Sequence, residues 1–396
     1  MELYHKLEKH DDGLDIAGQS RHAYVVSIKY TPGLAKEFSL LGDKLEQHGW
    51  RVTYLLSQGY SWLMNPAPRD VYYVTRSVNT KQMLWDVLKY LTKNWVRIFQ
   101  LFAVYPPNFI CFYNTHPLNF AFAALARHTC PAGIRAIYLH EPFKPDKMSF
   151  GRLGALYFAL GEFLQTISLR VTNCVIVPSP YARDLFLRRY PRFPGATYLA
   201  PILLPEREAM TTGPRKYVSL VGRINQGRGV DTFISLVNYA ASLAETLEFI
   251  IVTASDITAA LRNLSPAGRN LLQVINKPRI SDDEIAEVVA QSIALFLPHK
   301  QVTQSGNVPV AFREGTPIIA SNLPGFAQHI RHKENGYLVP CEATAEQLIQ
   351  AINYVRKNLP HLSCNARASF EATFASKNWE RYYEWLGSRL SAANTC

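Results

Sequence analysis

The chain opens twice in the same way, and that repetition limits its fold more than any other feature. Ala23–Lys29 is an apolar run, AYVVSIK, that ends in Tyr30-Thr31-Pro32-Gly33. Ala35, Phe38, Leu41 and Leu45 then recur at helical spacing, and Arg51–Leu56 is a second apolar run. Further along, Tyr217–Val221 enters the glycine-rich turn Gly222–Gly229, Val230–Leu243 follows as a helix, and Glu248–Thr253 as a strand. Strand, turn, helix and strand make a βαβ unit. The helix must carry the chain back to the end of the sheet where it started, so the strands are parallel. Two such openings predict two Rossmann-like α/β domains, and 396 residues are enough for two cores of about 150–200 residues each. The first turn lacks GxGxxG, which removes most support for a nicotinamide dinucleotide.

Other elements follow from the same patterning. In the first half, strands are predicted over Val71–Val74, Asn108–Tyr113, Arg135–Leu139 and Val175–Pro178, with helices over Gln82–Val104, Leu118–His128, Phe150–Thr172 and Tyr181–Arg189. Residues 1–20 read as a polar leader, 21–200 as the first domain, and 201–214 as a proline-rich linker without periodicity. The second domain runs over 215–376, with strands at Leu272–Ile275 and Ala294–Leu297 and a helix over Ser281–Val289 opened by the capping box Ser281–Glu284. Thr303–Asn307 is a short polar loop that starts a helix with Pro309 in its first turn and Gly315 at its end. Pro317–Ala320 is then a buried strand, closed by Pro324-Gly325. Residues 377–396 are a terminal helix.

Charge and cysteine usage exclude several classes. The net charge of +11 is uneven: residues 1–200 hold 23 Lys and Arg against 14 Asp and Glu, and residues 201–396 hold 19 against 17. The basic half implies an anionic partner, nucleic acid or an acidic membrane surface. Lys89, Lys93 and Arg97 recur every fourth residue on the Gln82–Val104 helix beside Trp85, Tyr90, Trp95 and Phe99. This pattern fits a peripheral membrane contact, or a helix that buries its aromatics and leaves its cations in water. The six cysteines are scattered with no CxxC, as reduced, mostly buried thiols of a cytoplasmic protein. No signal peptide, no apolar run of the ~18 residues a membrane span needs and no metal-ligand cluster is visible.

Two motifs carry chemistry. Val221-Gly222-Arg223-Ile224-Asn225-Gln226-Gly227-Arg228-Gly229 sets two arginines five apart in a turn at a strand end. Their planar forks could grip one diphosphate; alternatively both are solvated turn arginines. Gln304-Ser305-Gly306-Asn307 opens a helix whose first N–H groups, with that of Val308, could face an anion, or it is an ordinary helix entry. A third candidate is His140, delivered with Glu141-Pro142 to the end of a buried strand, where open α/β sheets bind ligands; the alternative is a satisfied core histidine.

The order VGRINQGRG, KPRISDDEI and TQSGNVPVAFREGTPIIASNLPG resembles the nucleotide-sugar domain of GT-B retaining glycosyltransferases of family 4. Pro32-Gly33, His140-Glu141-Pro142 and the terminal NWERYYEWL are similar to that family as well. The resemblance implies two Rossmann-like domains facing each other across a cleft. It implies that Arg223 and Arg228 hold the donor diphosphate, that His140 touches the donor sugar, and that the backbone of Arg279 and Ile280 contacts the base. Gly33, Gly222, Gln304, Ser305, Gly306, Asn307 and Val308 would complete the donor site. The family places two glutamates where this chain has Val302 and Val310, and Glu314 is the nearest carboxylate to replace them.

The expected activity is transfer of a hexose from a UDP-sugar, UDP-glucose first, to a glycan or lipid-linked acceptor. It would proceed with retention and would need no metal or cofactor, at the cytoplasmic face of a bacterial membrane. Two other classes stay open. One is a catalytically silent nucleotide-sugar-binding protein, consistent with the two valines. The other is a basic nucleic-acid-binding protein, for which no recognised motif exists, so no nucleic-acid partner is expected.

Overall fold

The computed structural model describes residues 21–61, 70–75, 95–113, 115–142, 151–207, 214–224, 226–243 and 246–394. The leader 1–20, the stretch with Trp85, Lys89, Tyr90 and Lys93, Asn225, and 208–213 of the predicted linker lie outside them. Packing divides the chain into two units, Met1–Ala136 with Arg170–Thr172 and Ala392–Cys396, and Ile137–Leu169 with Asn173–Ser391.

The first sheet runs β3-β2-β1-β4-β5-β6-β7. Its strands are β1 (His22–Ser27), β2 (Arg51–Ser57), β3 (Val71–Thr75), β4 (Phe109–Phe112), β5 (Ile134–Tyr138), β6 (Cys174–Val177) and β7 (Ala196–Leu199). Pairing of β1 with β2 and with β4 is parallel, as the βαβ argument requires. The strands are near-continuous apolar runs because helices cover both faces of such a sheet, and every residue of β1, β4, β5 and β6 is buried. The helices are α1 (Ala35–Gln47), α2 (Trp95–Val104), α3 (Leu118–Thr129), α4 (Gly151–Leu169) and α5 (Pro180–Arg189). On α1, Phe38, Leu41 and Leu45 face the core, as their spacing predicts. On α2, Phe102 is fully buried while Phe99 and Val96 are exposed, and so is Arg97. The aromatics of this helix therefore split between core and solvent.

The second sheet runs β10-β9-β8-β11-β12-β13, again parallel. It comprises β8 (Tyr217–Val221), β9 (Glu248–Thr253), β10 (Leu272–Asn276), β11 (Ser292–Leu297), β12 (Ile318–Ser321) and β13 (Gly336–Val339). Its helices are α6 (Val230–Ser242), α7 (Asp282–Ala290), α8 (Asn307–Arg313), α9 (Ala345–Lys357), α10 (Leu359–Thr373) and α11 (Trp379–Asn394). One core lies between this sheet and α6 and α9, around Phe233, Phe249 and Ile352. A second lies on the other face around Phe312, Phe326 and Phe370, and it takes in Leu204.

Three details depart from the patterning. The strands β7 and β13 and the helices α9 and α10 go beyond the elements read from sequence. Pro324-Gly325 does end β12, but it also forms the first turn of a short helix, Pro324–Ala327, because Pro is tolerated where no N–H is needed. Residues 201–207 are tied down: Leu204 bridges Ala375, and the Glu206 carboxylate accepts from Lys377 N and the Ser376 hydroxyl. The terminal α11 packs Tyr382 and Trp385 on Tyr198 of β7, with the Trp385 ring stacked at 4.1 Å. Cys111 and Cys174 are buried thiols as expected, but Cys341 and Cys364 are exposed.

Candidate functional site

In the second sheet the chain leaves β8 toward β9 and later returns on its other side as β11, so the loops after β8 and β11 part from each other. Open α/β sheets bind ligands in that crevice. Backbone geometry holds the two loops close. Gly229 has φ +75, and a Cβ on it would fall 2.1 Å from Pro298 O, so only glycine lets the turn lie against the end of β11. Lys300 N donates to Gly227 O at 2.9 Å. Gly222, at φ +90, has the Asn307 side chain 3.4 Å from where a Cβ would sit, and Asn307 Nδ2 donates to Val221 O at 3.0 Å. The turn is braced from below by Thr253 Oγ1, which donates to Gly222 O, and by Ser255 Oγ, which accepts from Ile224 N.

Arg223 stands exposed at this turn, and Arg228 is half-buried with Nη1 donating to Arg223 O at 3.0 Å. Burial lowers the Arg228 pKa from its ordinary value and the Arg223 charge adds to this, while the Glu141 carboxylate opposes both. Two guanidinium groups of one sign, only partly compensated, form a local preference for an anion.

His140 reaches the same loops. It follows β5, and Gln304 Nε2 lies 3.2 Å from its Nδ1 and 3.4 Å from its Nε2, so the amide donates to whichever ring nitrogen is unprotonated. The structure thus joins His140, Gln304, Asn307, Gly222 and the Arg223–Arg228 turn. Ser305 shapes the helix entry: its Oγ accepts from Asn307 N at 3.4 Å and its carbonyl from Val308 N at 3.1 Å. Val308 is itself a core residue, and its N–H is engaged by that carbonyl; Gly306, the residue before the helix, is exposed with open space beside it. Arg279 is exposed and Ile280 half-buried in the turn between β10 and α7. Gly33 lies in the 3₁₀ turn Pro32–Leu34 of the first unit.

Glu314 is not brought to the loop. α8 runs from Asn307 to Arg313, so position 314 falls at the helix end away from the loop. There its carboxylate is fully buried, and Oε1 accepts from Arg207 Nε at 2.9 Å, Arg207 Nη2 at 2.7 Å and Arg313 Nε at 3.0 Å. A buried carboxylate needs such partners, and here they consume the group.

One residue of this crevice escapes sequence reasoning. His299 lies two residues past β11, is 5% exposed, and its ring stands edge-to-face with that of Phe326, centroids 5.2 Å apart. Neither ring nitrogen has a hydrogen-bond partner among the described residues. Burial and the nearby Arg228 charge push its pKa down to about 3. The signal was a Pro-His-Lys sequence at the end of a buried strand, the same placement that singled out His140. Among the described residues no three His, Cys, Asp or Glu cluster as metal ligands, and no helix is long and apolar enough to cross a membrane.

Comparison with known proteins defines the class. The chain has the GT-B fold, two parallel-sheet Rossmann-like α/β domains. It superimposes on sucrose-phosphate synthase from Thermosynechococcus elongatus over 94% of this chain and 100% of that one, at TM-score 0.68 and 17% identity. Anabaena HepE in complex with UDP-glucose matches over 94% and 99% at TM-score 0.68 and 15% identity. WaaG, a glycosyltransferase involved in lipopolysaccharide biosynthesis, matches over 92% and 99% at TM-score 0.67 and 15% identity. No curated protein sequence matches the chain. Residues 215–358, which carry the Arg223–Arg228 turn and the Gln304–Asn307 loop, match the family described as "Glycosyl transferases group 1".

Proposed function

We propose that the protein transfers a hexose from a UDP-sugar, with UDP-glucose the first candidate, to a glycan or lipid-linked acceptor in bacterial envelope or exopolysaccharide synthesis. The observation that carries this reading is the junction of His140 with Gln304 beside the Arg223–Arg228 turn, within a group 1 glycosyltransferase domain. UDP-glucose bound by the similar HepE supports the donor, and the role of the similar WaaG supports the setting. In this reading residues 21–200 form the acceptor-side domain and 215–376 the donor-side domain. Arg223 and Arg228 grip the diphosphate, His140 contacts the sugar, and the backbone at Arg279 and Ile280 meets the base. Gly33, Gly222, Ser305, Gly306 and Asn307 allow the phosphates close approach.

The chemistry follows from the charges. As the bond from the anomeric carbon to the diphosphate breaks, negative charge grows on the leaving oxygen, and two fixed guanidinium groups stabilise it without reorganising. The acceptor oxygen bonds to the anomeric carbon on the face that the diphosphate leaves, and the departing diphosphate oxygen takes the proton of that hydroxyl, so the configuration is retained and no metal is required. The protein works at the inner face of the membrane, with Lys89, Lys93 and Arg97 as one possible basic contact. His140→Ala tests the reading: kcat falls strongly while UDP affinity stays nearly unchanged. Equal loss of both would make His140 a structural residue. A silent nucleotide-sugar binder is the second reading, favoured by Val302 and Val310; slow release of sugar from donor alone would exclude it.

A further inference from the structure

The helix α4 is built inside out. Leu156, Leu160 and Phe163 are 68%, 51% and 60% exposed, and their i, i+4, i+7 spacing makes them one stripe along the helix. The buried side of the same helix carries Glu162, Gln165 and Ser168. Gln165 Nε2 donates to Pro142 O at 2.9 Å, Ser168 Oγ donates to Leu164 O of its own helix at 2.9 Å, and Leu169 is buried beside them. A surface helix ordinarily does the reverse, so packing among the described residues leaves the outward leucines and phenylalanine without a reason.

The border of the stripe identifies what covers it. Thr166 Oγ1 lies 3.2 Å from Tyr190 Oη, Gln165 Nε2 donates to the same oxygen, and Arg189 Nε stands 4.0 Å from Glu162 Oε2. The end of α5 therefore runs along the flank of the stripe. It adds the exposed Leu187 and a row of exposed cations, Arg188, Arg189 and Arg192, while the start of α4 adds Arg152. Asp184, one turn back on α5, is the exposed acid of that helix. A second copy of the chain would press two arginine rims together, whereas an anionic bilayer satisfies both the apolar stripe and its border.

We propose that α4 and the end of α5 form the face by which the protein rests on an anionic lipid surface. This rests on the peripheral-membrane reading above and moves the contact from the Arg97 helix to α4. The test is flotation with phosphatidylcholine vesicles, with and without phosphatidylglycerol. The native chain should float only with the anionic vesicles. Leu160→Ser with Phe163→Ser should weaken partition at least about tenfold, since each removes a large apolar side chain from lipid. The thermal midpoint should not move, because both side chains are exposed. Arg188→Gln with Arg192→Gln should erase the preference for phosphatidylglycerol.

Unchanged flotation of the Leu160→Ser/Phe163→Ser protein would overturn this face while leaving peripheral binding intact, and Lys89, Lys93 and Arg97→Glu would then be the losing set. Failure of the native protein to float overturns both. Equal flotation with neutral vesicles overturns the anionic surface. A dimer that the same double variant dissolves would assign the stripe to a second copy instead.

Discussion

The two sheets share a topology and present different chemistry at it. In the first, β1 stands between β2 and β4; in the second, β8 stands between β9 and β11. Beyond β4 and β11 each sheet buries a histidine, His116 at 0% and His299 at 5% exposure. Burial holds both neutral, at about 4 and about 3, with Lys29 and Arg228 pushing the same way. The turns then diverge. After β1, the Tyr60 hydroxyl lies within hydrogen-bonding distance of Ser27 Oγ, Lys29 O, Thr31 O and Thr31 N, so that turn closes on itself. After β8 come two left-handed glycines, the exposed Arg223 and the half-buried Arg228. His116 Nδ1 accepts from Leu118 N, which fixes its tautomer, while His299 has no such anchor. Topology says where a ligand can sit; the side chains decide which ligand.

The largest expected effect is on acid stability, and it addresses what the two crevices share. His22 and His299 are lowered to about 3, His116 and His329 to about 4, mainly by burial. Each stays neutral in the folded chain and protonates in the unfolded chain near pH 6.5. The stability each contributes is therefore complete above about pH 6.5 and is lost as pH falls toward the folded values, by up to about 1.4 kcal/mol per pH unit. Calorimetric unfolding at pH 5 should take up close to one proton for each of the four. His116→Gln and His299→Gln should each remove one. If only one of them does, the shared burial of the two histidines is not a real parallel.

Next in size is the effect that separates the crevices. Arg223→Ala or Arg228→Ala should cost about 2–4 kcal/mol in kcat/KM, as the loss of one preorganised charge partner does. Lys29→Ala, the matched change beside His116, should leave donor hydrolysis nearly unaltered. A loss at Lys29 equal to that at Arg228 would break the distinction drawn from the two turns, and wild-type kcat/KM in both arginine variants would remove the diphosphate assignment.

Much of this was legible in the sequence because the signals are local. A parallel strand buried on both faces is a continuous apolar run, and β1, β8 and β11 announced themselves that way. β7 did not: it is four half-buried residues between Gly195 and Pro201. α9 does carry a local signal, the Thr344–Gln347 capping box. Glu314 shows the limit. Its neighbours in sequence placed a carboxylate near the loop, but Arg207, which claims it, lies 107 residues away and has no local signature. The inside-out character of α4 was hidden likewise, since a largely apolar helix looks the same whichever face is buried.

The smallest effect concerns a side-chain contact that ties His140 to the second crevice. The Gln304 amide is 9% exposed, and its hydrogen bond to the His140 ring crosses between loops that end two different sheets. A single neutral hydrogen bond contributes about 0.5–1.5 kcal/mol, so Gln304→Ala should lower kcat by roughly twofold to tenfold. The first crevice offers no equivalent, because the His116 Nδ1 contact is to its own loop backbone. A double-mutant cycle isolates the contact: on a His140→Ala background, Gln304→Ala should cost almost nothing further, since the partner has gone. Full additivity would mean that Gln304 acts on the donor directly and that the ring contact is incidental. In that outcome the difference between the two crevices would reduce to their arginines.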